Sequence, residues 1–183
     1  MTDLRGRVGM LCLIGAESAI FTIFVVAYHF YIGKSLAGPA PADVLHAPIF
    51  LTICLLSSSV TVHAGVKALE KANVAGFTRW WLLTLALGAV FIAGTGVEWH
   101  RLIYVDGLTI HTNLFGTTYF SLVGLHAFHV TVGLAGLAFA SILALRGYVR
   151  PIHATRSDIF SLYWHFVDVV WVVVFLVVYV AGR

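Results

Sequence analysis

Long apolar stretches separated by short polar segments make up almost all of this 183-residue sequence. Five of the stretches reach or exceed the roughly 20 apolar residues that an α-helix needs to cross a bilayer. We predict membrane-spanning helices over residues 8–32, 48–69, 77–104, 112–145 and 158–181. Helix is the expected state because lipid offers the backbone no hydrogen-bond partners. The predicted fold is therefore an all-α membrane protein, a bundle of five transmembrane helices forming one domain over residues 1–183.

The composition agrees with this fold, because 60% of the residues are hydrophobic and only 10% are charged. Soluble domains carry about 25% charged residues. If the five spans alternate in direction, one side of the membrane collects most of the basic residues, namely Arg5, Arg7, Lys67, Lys71, Arg79, Arg146, Arg150 and Arg156. The other side holds Lys34, Arg101 and Arg183. Since excess Lys and Arg mark the cytoplasmic face, we predict a cytoplasmic N-terminus and a C-terminus outside.

The net charge of +3 is distributed over short membrane loops, so it does not indicate binding to nucleic acid. Small residues are frequent in the fourth span, where they would let helices approach closely. These residues are Gly116, Gly124, Gly133, Gly136, Ala127, Ala135 and Ala138. The two cysteines, Cys12 and Cys54, lie within predicted spans without CxxC spacing, and we interpret them as small packed hydrophobic residues.

Glu17 is the clearest candidate for a functional side chain. It lies about ten residues into the first predicted span, which at 1.5 Å per residue is roughly 15 Å deep. An ionisable group at that depth is costly and usually has a role. One hypothesis is a carboxyl group that exchanges protons or binds a lipid headgroup. The alternative is a carboxyl group that only hydrogen-bonds a neighbouring helix.

Two pairs of polar residues occur at helical spacing inside the fourth and fifth spans. His126 and His129 are three residues apart, as are His165 and Asp168, so each pair shares a helix face. A metal site built from His126, His129, His165 and Glu17 is conceivable, since closed sites use three or four ligands. The favoured interpretation is a buried polar network that fixes helix register, with no metal on this chain.

Two further acidic residues have simple physical explanations. Glu98 stands three residues before Arg101 at the end of the third span, which predicts a modest surface ion pair. Asp158 opens the fifth span, where a carboxylate suits the positive end of the helix dipole. The sequence contains no phosphate-binding G-x-x-x-x-G-K-[ST] loop, no C-x-x-C-H haem attachment and no nucleophile elbow. We therefore expect no catalytic residue.

Several motifs, in the right order, resemble subunit III of haem–copper terminal oxidases, the cytochrome c oxidase subunit III family. Residues 163–171 read YWHFVDVVW, which closely resembles the last helix of that family. Residues 124–130 read GLHAFHV, similar to its G-x-H-x-x-H-V signature. Gly9-Met10, Ala16-Glu17-Ser18 and Glu98-Trp99 match further segments. Many members have seven helices, and the five predicted here would correspond to the last five.

The resemblance implies a non-redox subunit III of an aa3-type, proton-pumping cytochrome c oxidase in the bacterial cytoplasmic membrane. Such a subunit packs on subunit I, assembles with subunit II and other subunits, binds phospholipid, and supports proton uptake and stability during turnover. Haem and copper are expected in the partner subunits and no cofactor on this chain. Glu17 matches the family's buried carboxylate, and His126, His165 and Asp168 match its internal polar positions. Asp158 takes the place of an acidic residue just before the last helix.

Two alternatives stay open at the level of sequence. The first is a subunit III-like component of a quinol oxidase or of a nitric oxide reductase. The second is a small transporter or channel that works by itself.

Overall fold

The computed structural model describes residues 2–35 and 37–182, and the regular secondary structure in that part is helical. The helices are α1 (Thr2–Tyr31), α2 (Pro41–Val44), α3 (Ile49–Glu70), α4 (Val74–Tyr104), α5 (Leu114–Leu145) and α6 (Ala154–Phe175). A 3₁₀ turn, Pro151–His153, precedes α6, and a π-helical turn, Leu176–Val180, continues it. Arg183, which the charge pattern assigns to the outer side, lies outside the described residues.

Five helices are long and apolar enough to cross a membrane, which confirms the predicted fold class. These segments are Leu4–Tyr31, Ile49–Glu70, Val74–Tyr104, Leu114–Leu145 and Pro151–Val180. The first and last of these segments begin at Leu4 and Pro151, ahead of the predicted starts at residues 8 and 158. The apolar pattern reports the thickness of the hydrocarbon core, whereas a helix continues into the interface, where its charged residues reach water.

The ends of the long helices carry local signals. The side-chain oxygens of Asn73 and Asn113 each accept a hydrogen bond of 2.8 Å, from the backbone N–H of Gly76 and of Gly116 respectively. Asparagine is a strong N-cap residue because it satisfies one of the free N–H groups of the first turn. Gly147 follows α5 with φ +76°, the left-handed conformation that commonly ends a helix.

Helix α6 forms the centre of the bundle. It packs against α1, α3 and α5, while α4 packs against α3 and α5. In the most apolar 18-residue stretch of each span, 56% of the residues are buried in the α6 segment but only 6% in α1. Trp164 and Trp171 of α6 are among the largest fully buried side chains. The helix that carries the most distinctive sequence motif is therefore also the core of the fold.

Glycines of α5 let the aromatic residues of α6 approach. A Cβ atom at Gly136 would lie 2.5 Å from the Phe160 ring, and one at Gly133 would lie 2.7 Å from Trp164. These contacts agree with the predicted role of small residues in helix packing. The interpretation of Cys12 as a packed residue was wrong, because Cys12 is exposed on α1.

Candidate functional site

A carboxyl–imidazole pair joins α1 to α5 at the middle of both helices. The Oε2 atom of Glu17 lies 3.1 Å from the Nε2 atom of His129. The His129 side chain is 8% exposed and that of Glu17 is 23% exposed. The ring of Phe21 packs against the imidazole, with ring centroids 5.0 Å apart. The structure thus brings together two of the residues that the sequence singled out separately.

The other contacts of His129 determine its tautomer. Its Nδ1 atom lies 2.8 Å from the Leu125 carbonyl oxygen. A carbonyl oxygen only accepts, so Nδ1 carries a hydrogen and donates it. Nε2 then either accepts from a protonated Glu17 carboxyl group or donates to its carboxylate. In both arrangements one proton is shared between the two side chains and the pair has no net charge, which reduces the cost of burying it in a membrane.

The same pair is linked to α6. The Tyr163 hydroxyl donates a hydrogen bond of 3.0 Å to the His129 backbone carbonyl. Tyr163 is itself buried. Helices α1, α5 and α6 therefore meet at this point, and the shared proton lies between α1 and α5.

A second polar cluster lies between α3 and α6. The Ser59 hydroxyl oxygen is 2.6 Å from His165 Nδ1, and the ring of His63 is 6.4 Å from that of His165. Ser59 also lies beside the Asp168 carboxyl group. Asp168 is only 3% exposed, yet within the described residues neither of its carboxyl oxygens has a hydrogen-bond partner of normal geometry. His165 and Asp168, which share a helix face, therefore do not hydrogen-bond each other, and Ser59 orients the imidazole.

His126 is separate from both clusters. It is fully buried and stacks on Trp171 with ring centroids 5.0 Å apart, while the Phe91 ring lies nearly perpendicular to it with centroids 5.8 Å apart. Neither ring nitrogen has a hydrogen-bond partner among the described residues. The four side chains of the conceivable metal site are therefore divided, since Glu17 meets His129 while His165 points to α3. No group of three potential metal ligands converges within residues 2–35 and 37–182.

Arg101 organises the end of the bundle at which α4 finishes. It forms the predicted ion pair with Glu98 at 2.9 Å and a second one with Asp106 at 3.4 Å. Its guanidinium also donates to the Val44 carbonyl and lies 2.6 Å from His46 Nδ1. A planar guanidinium can serve several acceptors at once. The predicted Glu98–Arg101 ion pair is thus one of several contacts by which Arg101 holds the segment between α1 and α3 in place. The sequence spacing did not reveal these other contacts.

Asp158 is paired across helices and does not cap one. It forms an ion pair with Arg7 of α1. Because α6 begins at Ala154, Asp158 lies in the second turn and not at the helix start, so the helix-dipole explanation was wrong. Sequence reasoning also missed Ser59, His63 and Tyr163. The one available signal was the spacing of Ser59 and His63, which places them on the same face of α3.

Comparison with known proteins gives a consistent result. The model of the family described as cytochrome c oxidase subunit III matches residues 5–183. A cytochrome c oxidase subunit 3 of Synechocystis is 40% identical over 97% of this chain and 76% of its own length. A probable cytochrome c oxidase subunit 3 of Mycobacterium leprae is 33% identical over 94% of this chain and 86% of its own. One from Corynebacterium diphtheriae is 39% identical over 72% of this chain, and the match spans 63% of that relative.

Proposed function

The chain belongs to the cytochrome c oxidase subunit III family, and from that premise we propose that it is the non-catalytic subunit III of an aa3-type oxidase in aerobic respiration. Its five membrane-spanning helices and its bacterial relatives make it a multi-pass protein of the bacterial inner membrane. As subunit III of a haem–copper oxidase it associates with other subunits of that complex. The proposal adds direct packing on subunit I, bound phospholipid, a cytoplasmic N-terminus, and support of proton uptake and turnover stability.

The observation that carries the proposal is the coincidence of the family motif with the core of the fold. The YWHFVDVVW segment at residues 163–171 supplies Trp164 and Trp171, which are both fully buried. Their indole N–H groups donate to Ser58 at 2.8 Å and to Thr52 at 3.1 Å. The motif therefore joins α6 to α3 by hydrogen bonds as well as by packing, which fits a subunit with a structural role.

We place no redox centre on this chain. Two of its intramembrane imidazoles are already engaged by the chain itself, His129 by Leu125 and Glu17 and His165 by Ser59. In the family, haem and copper belong to the partner subunits, with the oxygen-reducing site in subunit I. The proposed contribution of this chain to the enzyme is therefore indirect, through assembly, lipid and proton supply.

A cavity of about 330 Å³ supports the proposed lipid binding. It lies among α4, α5 and α6, next to the α5–α6 connection, and Phe77, Trp81 and Phe160 form part of its wall. Arg156 also lines it, and no acidic residue does among the described residues. An acyl chain matches the apolar wall, and a lipid phosphate matches the guanidinium.

The Glu17–His129 pair supports a role in protonation during turnover. It shares one proton at the mid-height of α1 and α5, and transfer between the two atoms leaves the net charge of the pair unchanged. We propose that the pair keeps α1 docked on α5 while its carboxyl group remains able to exchange that proton. Packing and proton exchange are then properties of the same contact.

Copurification tests the proposal. A tagged chain would be purified from its native membrane in mild detergent, followed by the reduced-minus-oxidised haem spectrum, the copper content and oxygen uptake with cytochrome c or with quinol. Haem a bands, copper and uptake driven by cytochrome c are the expected result. Uptake driven only by quinol, without the copper of an electron-receiving subunit, would replace the aa3 assignment by a quinol oxidase. A stable preparation without haem would favour the independent transporter.

A further inference from the structure

His63 has an unusual position for a membrane protein. It is exposed on α3, the helix that spans Ile49–Glu70. At a rise of 1.5 Å per residue, it lies about 10 Å from the Glu70 end of the helix. In the chain alone, this imidazole would face the acyl chains of the bilayer.

Three other polar residues share this surface with His63, and we call the four together the polar stripe: Ser59 and His63 on α3, with Asp158 and His165 on α6. The rings of His63 and His165 are 6.4 Å apart, and Ser59 contacts His165 at 2.6 Å. Asp158 is close enough to His165 to interact with it electrostatically. Each of the four is exposed or half-buried. The stripe therefore runs from the first turns of α6 towards the membrane interior.

The polar stripe lies on the side of α6 that faces away from α5. Phe160 and Trp164 contact the glycines of α5. Leu162 lies two residues from each of them, and at 3.6 residues per turn this places it on roughly the opposite side of the helix. Val169 follows Leu162 by seven residues, so it points the same way, and it is 63% exposed. His165 lies between these two on the same face.

Beyond His165 this surface of α6 is apolar. Val169, Val172 and Leu176 continue it at spacings of four, three and four residues, and they are between 38% and 63% exposed. Leu162, which is half-buried, precedes His165 by three residues. Alternating spacings of three and four residues form the apolar seam through which one helix packs along another. The face therefore combines a polar group with a surface shaped for a second helix.

An exposed imidazole at membrane depth differs from the other exposed residues of the spans. On α1 and α5, the exposed side chains are mainly large and apolar, such as Ile23 and Phe139. The exposed hydroxyls of Thr22 and Thr131 donate to carbonyls of their own helices, so they need no further partner. Ionisable side chains inside a membrane almost always face a protein interior or a water-filled cavity. The polar stripe is therefore unsuited to lipid.

We propose that the polar stripe and the apolar seam beyond it form the face on which the haem-bearing subunit of the oxidase docks. The partner places a hydrogen-bonding side chain at the depth of His63 and His165, and packs an apolar helix face against Val169 and Leu176. Interhelical hydrogen bonds of this kind contribute to association where lipid removes the hydrophobic driving force. This inference rests on the proposed function, since it assigns a location to the contact between subunits.

Site-specific photo-crosslinking in the native membrane tests the location. A benzophenone amino acid would replace Val169 or Val172 on the docking face, and Val132 on α5 as a control. Val132 is 47% exposed, and its distance from the end of α5 is similar to that of Val169 from the start of α6. Products with the haem-bearing subunit should be several-fold more abundant from positions 169 and 172 than from 132. Crosslinks to that subunit from position 132 alone, or to lipid alone from all three while haem copurifies, would overturn the inference. Absence of haem from every preparation would instead contradict the proposed function.

A substitution pair tests the chemistry. His63→Leu removes the imidazole from an exposed position, so it should not disturb folding of the chain, but it should lower the haem retained per tagged chain as detergent is increased. His100→Leu is the control, because His100 is an exposed imidazole near the end of α4. Equal haem retention in the two variants would argue that no partner group binds His63. Retention restored by His63→Asn would identify hydrogen bonding as the property that matters.

Discussion

The Oε2 atom of Glu17 and the Nε2 atom of His129 lie 3.1 Å apart, although the two residues are 112 positions apart in the sequence. Each is at the middle of its helix, so the contact ties α1 to α5 at one depth in the membrane. Helix α1 has few other buried residues, because only 6% of the residues in its most apolar 18-residue stretch are buried. The pair is therefore a specific attachment for the least buried helix of the bundle.

A double-mutant cycle measures this attachment. Glu17→Leu and His129→Leu should each destabilise the purified complex, while the double variant should cost less than their sum. The expected coupling is about 0.6 kcal/mol, the average for interhelical hydrogen bonds in a membrane, and at most about 1.7 kcal/mol. Thermal unfolding in detergent provides the measurement, and Glu17→Gln, whose amide can still donate to Nε2, is the control. Strictly additive effects would mean that the two side chains do not interact.

The same carboxyl group allows packing to be separated from proton exchange. Glu17→Gln keeps the shape and a donor but cannot release a proton, so assembly and haem content should remain at the parent level. The rate of inactivation during sustained oxygen uptake should rise, because the shared proton is lost. Turnover assays with cytochrome c would record this rate. If the Gln variant inactivates as slowly as the parent, the pair has a packing role only.

Gly133→Leu should disrupt the contact between α5 and α6. Even a Cβ atom there would lie 2.7 Å from the Trp164 ring, and Trp164 is fully buried and cannot easily move. Overpacking of this kind costs about 1–3 kcal/mol. Gly15→Leu is the matched control, since no heavy atom lies within 4 Å of a Cβ at that position. Comparable yield and thermal stability for both variants would show that the α5–α6 contact tolerates the larger side chain.

Asp168→Asn should be neutral or stabilising. The carboxyl group is 3% exposed, and among the described residues neither oxygen has a hydrogen bond of normal geometry, although Ser59 lies beside it. An amide of the same shape carries no charge to bury, so the substitution removes a desolvation cost. Asp158→Asn breaks an ion pair with Arg7 that is half-exposed in the chain by itself, where the cost should be no more than about 1 kcal/mol. Thermal unfolding of the complex would compare the two. A loss of about 1–3 kcal/mol on Asp168→Asn would show that the carboxyl group is hydrogen-bonded after all, with the adjacent Ser59 hydroxyl as the nearest partner.

Arg156→Gln should reduce the anionic phospholipid that copurifies with the chain. Loss of one basic residue at the membrane surface should weaken binding by about 1 kcal/mol, or roughly fivefold. Lys71→Gln is the control, because Lys71 is exposed after α3 and does not line the cavity. Mass spectrometry of extracted lipid would give the ratio of anionic to zwitterionic lipid in each variant. Equal ratios in both would place the bound anionic lipid elsewhere.

The sequence by itself determined the five membrane-spanning helices, because the length of an apolar stretch is a local property that the bilayer requires. It also singled out Glu17, His129 and Asp168, since any ionisable residue at bilayer depth attracts notice. The ion pair between Glu98 and Arg101 followed from helical spacing alone. These predictions concern neighbours along one helix or the environment of one residue.

Only the tertiary structure decided which polar residues meet. Spans that are apolar on nearly all sides give weak information on helix rotation, so the sequence could not tell that His129 turns to Glu17 while His126 turns to Trp171. That rotation is fixed by contacts between distant residues, such as Trp164 against Gly133. For the same reason Ser59 and His63 became recognisable as part of a surface only once α3 and α6 lay side by side. Helix formation in a membrane is local, whereas helix orientation depends on close packing between segments far apart in the chain.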